Sequence, residues 1–339
     1  MSYIQTSVAN GVGEIVLDRP KALNALDQSM IDDMHEVLIR WADDPSVATV
    51  LVTSASDRAF CAGGDIRAIR ENAVDGDAAA ISHYFASEYT LDQLIADYPK
   101  PYVTLIDGAA MGGGLGISVH GEVRVVTDKA VMAMPETAIG FFPDVGATYF
   151  LPRLPAGVGM WLGLTGARIT GTDAVTVGLA THHVPSDGLA EVAAAIRSGA
   201  PLVEVLTSSA PAPTEIPLKN IAEYFADSSV PAILGGLRGA ASSSSEQQAQ
   251  WAQQMVSLME AASPTSLMVT ARLIEIGDSS LLDQCFEREL HAAERICATP
   301  DFAEGVRAVL VDKDRNPAFS PASVDDVDPA EVERIVGSL

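Results

Sequence analysis

Two glycine-rich loops carry the residues whose types and spacing point most directly to chemistry. The first runs from Phe60 to Asp65 with the letters Phe-Cys-Ala-Gly-Gly-Asp, and the second runs from Met111 to Gly116 with the letters Met-Gly-Gly-Gly-Leu-Gly. Each loop follows an apolar, β-rich stretch, which predicts a strand, a tight turn and a helix start. The first N–H groups of a helix lack partners and carry positive partial charge, and glycine lets the backbone approach a ligand closely. The two loops therefore predict a pair of donors for one oxyanion, whereas either loop alone is also explained by glycines that only make a tight turn.

Two carboxylates lie in the apolar stretch that follows. Glu136 is placed between the run Val131 to Met134 and the pair Phe141-Phe142, and Asp144 comes shortly after that pair. Burial among apolar side chains disfavours the charged form of a carboxylate, which suits it to general base or nucleophile work. If Asp144 shares the same pocket, the two groups titrate as a coupled pair. The alternative is that both acids only cap exposed turns.

Other reaction chemistries lack their sequence signatures. Residues 116–120 read Gly-Ile-Ser-Val-His, which departs from the nucleophile elbow G-x-S-x-G and places the serine within a helical run. No stretch matches the P-loop or the dinucleotide fingerprint G-x-G-x-x-G. Cys61 has no cysteine-protease signature around it, and its neighbours indicate a small buried side chain. The pair His182-His183 lacks the carboxylate spacing of a metal site, so no metal is expected.

The composition excludes several classes of protein. With 339 residues and a hydrophobic content of 48%, the chain can bury a large core in one or two domains. Its 21 basic and 45 acidic residues give a net charge of −24, which argues against nucleic acid or an anionic membrane surface as the main partner. The 3 cysteines are too few and too scattered for a disulfide framework or a zinc site, which predicts reduced thiols in a cytoplasm.

Neither export nor membrane insertion is expected. The first residues, Met-Ser-Tyr-Ile-Gln-Thr, lack the basic start and apolar run of a signal peptide. The apolar stretch from Tyr102 to His120 is interrupted by Asp107 and several glycines, so it falls short of the roughly eighteen uncharged apolar residues of a membrane span. A cytoplasmic protein is predicted.

The elements that position these residues alternate between strand and helix in the first half of the chain. Apolar runs predict strands at Val12–Leu17, Ala48–Thr53, Tyr102–Ile106, Val123–Val126 and Val131–Ala133. Helical periodicity predicts helices at Asp27–Trp41, Ile81–Ala96 and Gly113–Val119. Repeated strand-then-helix units predict an α/β core with a largely parallel sheet.

After about residue 190 the pattern becomes helical. Helices are predicted at Gln247–Ala261, Pro264–Ile276, Leu281–Cys297 and Ala303–Val311, with a short final helix after an acidic tail that starts at Pro317. Prolines between residues 201 and 217 mark a loop-rich connection, and Ala240–Ser245 is a serine-rich break. The predicted domains are a core of residues 1–195 that holds the site and a helical C-terminal region of residues 196–339.

Several of these segments together resemble the crotonase superfamily of acyl-CoA enzymes. The resemblance is carried by Arg19 to Leu26, by both glycine loops and by Pro135 to Gly140. Further segments are similar to the 3-hydroxyisobutyryl-CoA hydrolase branch, namely Ser118–Gly121, Ala133–Gly146, Tyr149–Leu154, Ala180–His182 and Asp301–Asp314. The similarity runs from about residue 10 to about residue 316. It implies a crotonase-like spiral of ββα units with an α-helical C-terminal region, and an acyl-CoA thioester as substrate.

The resemblance also implies roles for individual residues. Gly64 and Gly113 match the residues whose N–H groups form the oxyanion hole. Glu136 matches the catalytic glutamate, and Asp144 matches the aspartate of the hydrolase branch. Glu88 matches an acidic residue of the substrate site.

Further substrate-binding residues are expected near the first loop. They are Ala62 and Asp65 within the loop, together with Lys21 and Arg67 on either side of it. Lys21 and Arg67 are expected, with Arg19 and Arg70, to meet the phosphates of coenzyme A, because the resemblance implies that they flank the two segments that line the coenzyme A site and because the strongly negative protein needs local basic residues there.

Position 116 separates two activities within the superfamily. Enoyl-CoA hydratases resemble Gly-Gly-Gly-Cys-Glu at this helix start and divide acid and base work between two glutamates, whereas this chain has Gly116 there. The expected reaction is therefore hydrolysis of an acyl-CoA thioester, 3-hydroxyisobutyryl-CoA in valine catabolism, with enoyl-CoA hydration or isomerisation as the alternative and a non-catalytic acyl-CoA binder as the third reading. Coenzyme A is part of the substrate, so no separate cofactor is expected. A homo-oligomer is left open, since members of the superfamily form trimers and hexamers.

Overall fold

The computed structural model describes residues 2–206, 214–242 and 245–337. The predicted loop-rich connection and serine-rich break lie partly outside these residues. The described chain forms two compact units, each built from several segments. Unit 1 takes its described residues from Met1–Asp65, Ser87–Ala133 and Arg168–Ile216, and unit 2 takes its own from Ile66–Ala86, Met134–Ala167 and Pro217–Leu339. The single boundary after residue 195 does not coincide with these interleaved units and stays a prediction.

The strands of the described chain lie in unit 1. They are β1 (Ile4–Ala9), β2 (Val12–Leu17), β3 (Thr49–Ser54), β4 (Ala59–Cys61), β5 (Tyr102–Ile106), β6 (Ala109–Met111), β7 (Val123–Val126), β8 (Val131–Ala133), β9 (Ile169–Thr170) and β10 (His182–His183). One sheet has the order β1-β2-β3-β5-β7-β10, and the other has the order β4-β6-β8-β9. Only the terminal strands β1 and β9 pair antiparallel in the described sheets, and the other neighbours pair parallel. The largely parallel sheet predicted from the sequence is therefore confirmed.

The sheet order explains where the two glycine loops lie. Strands β3 and β5 are continuous apolar runs because they are buried at the centre of the larger sheet. Each is followed by a short strand of the smaller sheet, β4 after β3 and β6 after β5. Strand β4 leads into the loop at Ala62–Asp65, and β6 leads into the loop at Gly112. Strands β4 and β6 are not predicted from the sequence, where the residues next to the two glycine clusters are assigned to the loops.

The helices account for most of the remaining structure. In chain order they are α1 (Gln28–Ala42), α2 (Ile66–Asp75), α3 (Ala78–Ala96), α4 (Gly113–Val119), α5 (Ala147–Phe150), α6 (Val158–Thr165), α7 (Gly171–Val177), α8 (Leu189–Arg197), α9 (Leu202–Val205), α10 (Leu218–Tyr224), α11 (Val230–Ala240), α12 (Glu246–Glu260), α13 (Pro264–Gly277), α14 (Leu282–Ile296), α15 (Pro300–Val306) and α16 (Pro329–Val336). Helices α1, α4, α7, α8 and α9 belong to unit 1, α3 has residues in both units, and the others belong to unit 2. Across the described residues, no helix is long and apolar enough to cross a membrane.

Helix α1 illustrates how the sequence pattern becomes structure. The Asp27 carboxylate accepts a hydrogen bond from the Met30 N–H at 3.0 Å and caps the helix, so the predicted start is confirmed. Met34 and Leu38 are fully buried on the same face. Trp41 ends this face, and its ring fills the space beside Gly13 in β2, where a Cβ would overlap the ring. The apolar stripe therefore packs on the larger sheet.

One predicted helix needs correction. The sequence predicts a single helix at Ala303–Val311, whereas α15 starts at Pro300 and gives way to a π-helix at Arg307–Val311. The π-helix ends where the Asp312 N–H donates to the Arg307 carbonyl at 2.8 Å, five residues earlier. Periodicity alone does not distinguish this widened turn from an α-helix.

Candidate active site

The two glycine loops meet in unit 1. Parallel pairing of β4 with β6 places Cys61 opposite Ala110, so the turns after the two strands lie side by side. A Cβ built on Gly113 would lie 3.3 Å from the Gly64 nitrogen. Gly113 is also the first residue of α4, where N–H groups have no acceptor within the helix. Gly64 and Gly113 are thus neighbours, as a two-donor oxyanion hole requires.

The first loop is held by a short parallel bridge to Leu26. The Leu26 N–H donates to the Gly63 carbonyl at 2.8 Å, and the Asp65 N–H donates to the Leu26 carbonyl at 2.8 Å. These bonds use the groups on either side of the Gly64 N–H. The backbone is therefore held on both sides of Gly64. The bridge does not use the Gly64 N–H group itself.

Asn24 holds the same loop from its side chain and was not singled out by the sequence. The residue is fully buried, and its amide donates to Ser54 Oγ at 2.8 Å and to the Phe60 carbonyl at 3.0 Å. Its Oδ1 accepts from the Arg19 N–H at 2.8 Å. The backbone φ of +56° falls in the left-handed region that asparagine tolerates better than most residues. An asparagine in an otherwise apolar, proline-started turn was the available signal.

The second loop packs against the first without room for side chains. A Cβ at Gly114 would overlap the Cys61 carbonyl. Ser118 lies one turn further along α4, is fully buried, and donates its hydroxyl to the Gly114 carbonyl at 2.7 Å. Its hydroxyl therefore stabilises the helix, which agrees with the rejection of a serine nucleophile.

Glu88 lies at the same place in unit 1. It is on α3 and is only 2% exposed. A Cβ on Gly113 would overlap its Oε1, so the carboxylate lies directly against the start of α4. The structure brings Gly64, Gly113 and Glu88 together, and their roles stay predictions.

Glu136 lies in unit 2, at the first position of a 3-10 helix that spans Glu136–Ile139. The residue is 8% exposed, so the alternative of an exposed cap is wrong for it. Its carbonyl accepts from the Phe141 N–H at 3.1 Å, and the Thr137 carbonyl accepts from the N–H of Ser263, the N-cap of α13, at 3.0 Å. These bonds hold the backbone of the residues at the start of the short helix, where the buried Glu136 lies.

Asp144 follows on the same segment of unit 2 and is 5% exposed, so it is not an exposed cap either. The rings of Phe141 and Phe142 before it stack at 4.6 Å between centroids, and Phe141 also packs on Phe302 at 5.8 Å. The Asp144 carbonyl accepts from the Ala147 N–H at 2.9 Å and so starts α5. Asp144 is thus buried on a segment whose preceding aromatic residues pack in an apolar cluster.

Two of the predicted substrate-binding residues make contacts within unit 1. The Ala62 N–H donates to the Leu23 carbonyl at 3.0 Å. The Asp65 carboxylate accepts from the Arg19 guanidinium at 2.8 Å. Arg19 also donates to the Ala25 carbonyl at 2.8 Å. The Arg19 guanidinium thus donates its hydrogen bonds to groups of the protein. This does not support the phosphate contact expected of Arg19.

The other predicted phosphate ligands are at the surface. Lys21 is exposed on a 3-10 helix at Pro20–Ala22. Arg67 is exposed on α2 and donates to the Leu310 carbonyl. Arg70 on the same helix donates to the Ala303 carbonyl at 2.8 Å. Phosphate binding by Lys21 and Arg67 stays a prediction.

The cysteine and the two histidines that were not expected to be catalytic make contacts within the protein. Burial raises the pKa of the Cys61 thiol to about 12, and the sulfur lies 3.1 Å from the Asn24 carbonyl. His182 contacts the Thr181 hydroxyl at 2.9 Å, and His183 contacts the Asp128 carboxylate at 2.9 Å. Among the residues that the structure describes, no cluster of histidine, cysteine and acidic side chains is suited to a metal ion.

Comparison with known proteins decides the family. The family model described as enoyl-CoA hydratase/isomerase matches residues 12–336. The chain belongs to the enoyl-CoA hydratase/isomerase family. The same match confirms the crotonase superfamily inferred from the sequence motifs.

Solved structures of the enoyl-CoA hydratase/isomerase family share the fold over the full chain. An enoyl-CoA hydratase from Rhodobacter sphaeroides is 34% identical with a TM-score of 0.92, and covers 100% of this chain and 98% of its own. A carnitinyl-CoA dehydratase from Mycobacterium thermoresistibile is 36% identical with a TM-score of 0.91, and covers 100% of this chain and 97% of its own. The crotonase-like fold predicted from the sequence is confirmed.

Curated sequence relatives point to one branch of the family. The 3-hydroxyisobutyryl-CoA hydrolase of Xenopus tropicalis, named mitochondrial, is 41% identical over 98% of this chain and 88% of its own length. The 3-hydroxyisobutyryl-CoA hydrolase 1 of Arabidopsis thaliana is 37% identical over 98% of this chain and 91% of its own length.

Another buried acid of this family member was not singled out from the sequence. Glu289 lies on α14 and is 0% exposed. Its neighbours on the same helix face, Cys285, Ala292 and Ile296, are also buried. A single acidic residue on an apolar helical face was the signal, because such a charge is retained only with partners.

Proposed function

We propose that this protein hydrolyses 3-hydroxyisobutyryl-CoA to 3-hydroxyisobutyrate and coenzyme A, the reaction expected for valine catabolism. The main observation in support of this reaction is that Gly64 lies next to Gly113, the first residue of α4. Two neighbouring N–H groups there could stabilise a carbonyl oxyanion. The acyl group is supported by the names of curated relatives that are 37% and 41% identical over 98% of the chain.

In the proposed reaction, Glu136 supplies the carboxylate. Either Glu136 takes a proton from the attacking water, or its own oxygen attacks the thioester carbon and forms an anhydride that water then cleaves. Negative charge collects on the carbonyl oxygen, where the N–H groups of Gly64 and Gly113 stabilise it. The C–S bond then breaks, and coenzyme A leaves as a thiolate that takes up a proton. Burial of Glu136 supports either role.

Asp144 and Glu88 have supporting roles in this reaction. Asp144 orients the water or the 3-hydroxyl of the substrate. Glu88 lies against Gly113 and contributes to the same substrate site. Lys21 and Arg67 bind the phosphates of coenzyme A, and Ala62 and Asp65 line the approach. Coenzyme A is part of the substrate, so the reaction needs no further cofactor.

Hydration or isomerisation of an enoyl-CoA is the second function. It is favoured by the two full-length structural relatives, whose names are an enoyl-CoA hydratase and a carnitinyl-CoA dehydratase. Gly116 argues against hydration or isomerisation, because that position of α4 has no carboxylate that could share the acid and base roles. A lyase would have to use Glu136 with Asp144 instead.

Location and assembly belong to the same proposal. The sequence predicts a cytoplasmic protein, whereas relatives from Xenopus tropicalis and Danio rerio are named mitochondrial. Fractionation of the source cells tests the location, and light scattering on the purified protein tests a homo-oligomer.

The deciding experiment compares two substrates on the same purified protein. Release of free thiol is followed with 3-hydroxyisobutyryl-CoA, and loss of the conjugated enoyl absorbance is followed with crotonyl-CoA. We expect thiol release that is lost in Glu136→Gln, a change that keeps size and removes the carboxylate. Hydration of crotonyl-CoA without thiol release would replace the hydrolase with the lyase. A Glu136→Gln variant of full activity would remove Glu136 from the mechanism.

A further inference from the structure

Glu289 of unit 2 contacts the segment that carries Asp144. Its Oε2 accepts a hydrogen bond from the Gly146 N–H at 2.7 Å. Its Oε1 accepts from the Thr148 N–H at 3.0 Å and from the Thr148 hydroxyl at 2.6 Å. All three donors belong to the few residues that follow Asp144. One buried side chain on α14 therefore holds the N-cap and the second residue of α5, shortly after Asp144.

The backbone of this turn needs such support. Val145 has a φ of +56° and Gly146 a φ of +79°. The left-handed region is open to glycine but is a true outlier for a β-branched residue, and it persists only where the surroundings determine it. Val145 is buried, and the Asp144 carbonyl is fixed by the Ala147 N–H at 2.9 Å. The direction of the Asp144 side chain thus depends on a conformation that the turn does not favour by itself.

We propose that Glu289 is a positioning residue for Asp144. By accepting hydrogen bonds from Gly146 and Thr148, it keeps the left-handed turn in the conformation that presents the Asp144 carboxylate for the reaction. This inference rests on the role proposed above for Asp144.

The charge state of Glu289 agrees with this role. The pKa of Glu289 is raised to about 8, chiefly by burial and also by the nearby Asp144 carboxylate. The hydrogen bonds from Thr148 and Gly146 lower the pKa but do not outweigh burial. The raised pKa favours the uncharged form of Glu289 near Asp144.

Four other titratable or charged groups lie around this pair, and one of them is the buried Cys297 thiol, whose pKa is raised by burial and by the Asp144 carboxylate. The Cys285 thiol, one helical turn before Glu289, also hydrogen-bonds Thr148. The positive charges of the Arg288 and Arg153 guanidinium groups lower the pKa of that thiol, against the effect of burial. Arg288 also donates to Ser280 Oγ at 3.3 Å. These groups do not donate to the Glu289 carboxylate in the hydrogen bonds recorded for it.

The test is a double-mutant cycle on kcat in the full-length enzyme. Glu289→Gln keeps the size of the side chain, but its amide nitrogen cannot accept one of the two N–H groups. Thr148→Val replaces the hydroxyl with a methyl group, leaves the Thr148 N–H in place and serves if Glu289→Gln folds poorly. Each is combined with Asp144→Asn. The matched control is Asp173→Asn in unit 1, a buried acid that accepts from the Thr214 hydroxyl at 2.6 Å.

We expect Glu289→Gln to lower kcat by about tenfold to a hundredfold with a smaller change in KM, the range for a misplaced catalytic group. In the Asp144→Asn background the same change adds little. Asp173→Asn lowers the melting temperature without changing kcat in either background. We expect kcat of the parent to decline above about pH 8, where Glu289 ionises near Asp144, and kcat of Glu289→Gln to show no such decline.

The possible results separate this inference from the proposed function. If Asp144→Asn lowers kcat and both folded variants, Glu289→Gln and Thr148→Val, retain it, Glu289 is not a positioning residue and the hydrolase stands. If the losses multiply independently, Glu289 acts on stability alone and the inference is overturned. If Asp144→Asn retains full kcat while Glu136→Gln loses it, the role of Asp144 fails together with the inference. If no thioester is hydrolysed at all, the proposed function itself fails.

Discussion

The Glu88 carboxylate occupies the space that a side chain at position 113 would need. A Cβ on Gly113 would overlap Glu88 Oε1 and would lie 3.3 Å from the Gly64 nitrogen. A single glycine therefore lets a buried acid on α3, the first loop and the start of α4 come together. Glycine is needed at position 113 because the backbone lies very close to its neighbours, and not because the turn needs a flexible residue.

Gly113→Ala is expected to lower kcat by about a hundredfold or more, the cost of losing an oxyanion-hole donor. The added methyl displaces Glu88 and pushes α4 away from Gly64. The effect is measured as thiol release under saturating substrate, with circular dichroism to show that the fold persists. Unchanged kcat in a folded variant would exclude Gly113 from the oxyanion hole.

A second glycine provides the matched control. Gly235 lies inside α11, and a Cβ there would meet nothing within 4 Å. Because glycine inside a helix costs about 1 kcal/mol relative to alanine, Gly235→Ala is expected to raise the free energy of unfolding by up to that amount. Its kcat should equal that of the parent. A loss of stability would mean that α11 packs more tightly at Gly235 than the structure shows.

Cys61→Ala is expected to retain most of the activity although Cys61 lies inside the first loop. The thiol is buried, its pKa is raised to about 12, and a protonated thiol is a poor nucleophile. In the native protein, iodoacetamide should leave Cys61 unlabelled until denaturant is added. Loss of turnover to the level of Glu136→Gln, or rapid labelling of the native thiol, would contradict this assignment.

Arg19→Lys distinguishes loop support from phosphate binding. Lysine cannot reproduce the fork that joins Arg19 to Asp65 at 2.8 Å and to the Ala25 carbonyl at 2.8 Å. We expect a loss of about 1 kcal/mol in the free energy of unfolding that is not additive with Asp65→Asn. The KM for the acyl-CoA should change little. A raised KM with unchanged stability would instead assign Arg19 to the phosphates of coenzyme A.

Stability should fall as pH rises because of Glu289. Its pKa is about 8 in the folded protein against an ordinary value of 4.5, so the folded state holds the proton more tightly than the unfolded state. The stabilisation is complete below pH 4.5 and is lost as pH rises from 4.5 to about 8. At about 1.4 kcal/mol per pKa unit, the loss is on the order of a few kcal/mol.

Denaturant unfolding at several pH values measures this contribution. Glu289→Gln, which does not titrate, should flatten the curve between pH 5 and pH 8. Asp173→Asn should leave its slope unchanged. A parent curve without a slope in this window would show that Glu289 ionises normally in the folded protein.

Much of the local structure follows from the sequence. Strands β2, β5, β7 and β8 and helix α4 have the predicted bounds, because apolar runs and glycine-rich helix starts are local signals. Glu136 is buried as its apolar surroundings predict. By contrast, strand β4 was missed because its residues were assigned to the glycine loop, and the π-helix was missed because its periodicity does not differ enough from that of an α-helix.

The sequence by itself determined the alternation of strands and helices, the two glycine loops and the acids that carry the proposed chemistry, because each depends on neighbouring residues. Only the tertiary structure decided which of these residues meet. Pairing of β4 with β6 makes Gly64 and Gly113 neighbours. Packing of α14 on α5 brings Glu289 to Thr148 across 141 positions of the chain. Such contacts depend on how distant segments share a buried interior, and no local pattern records that choice.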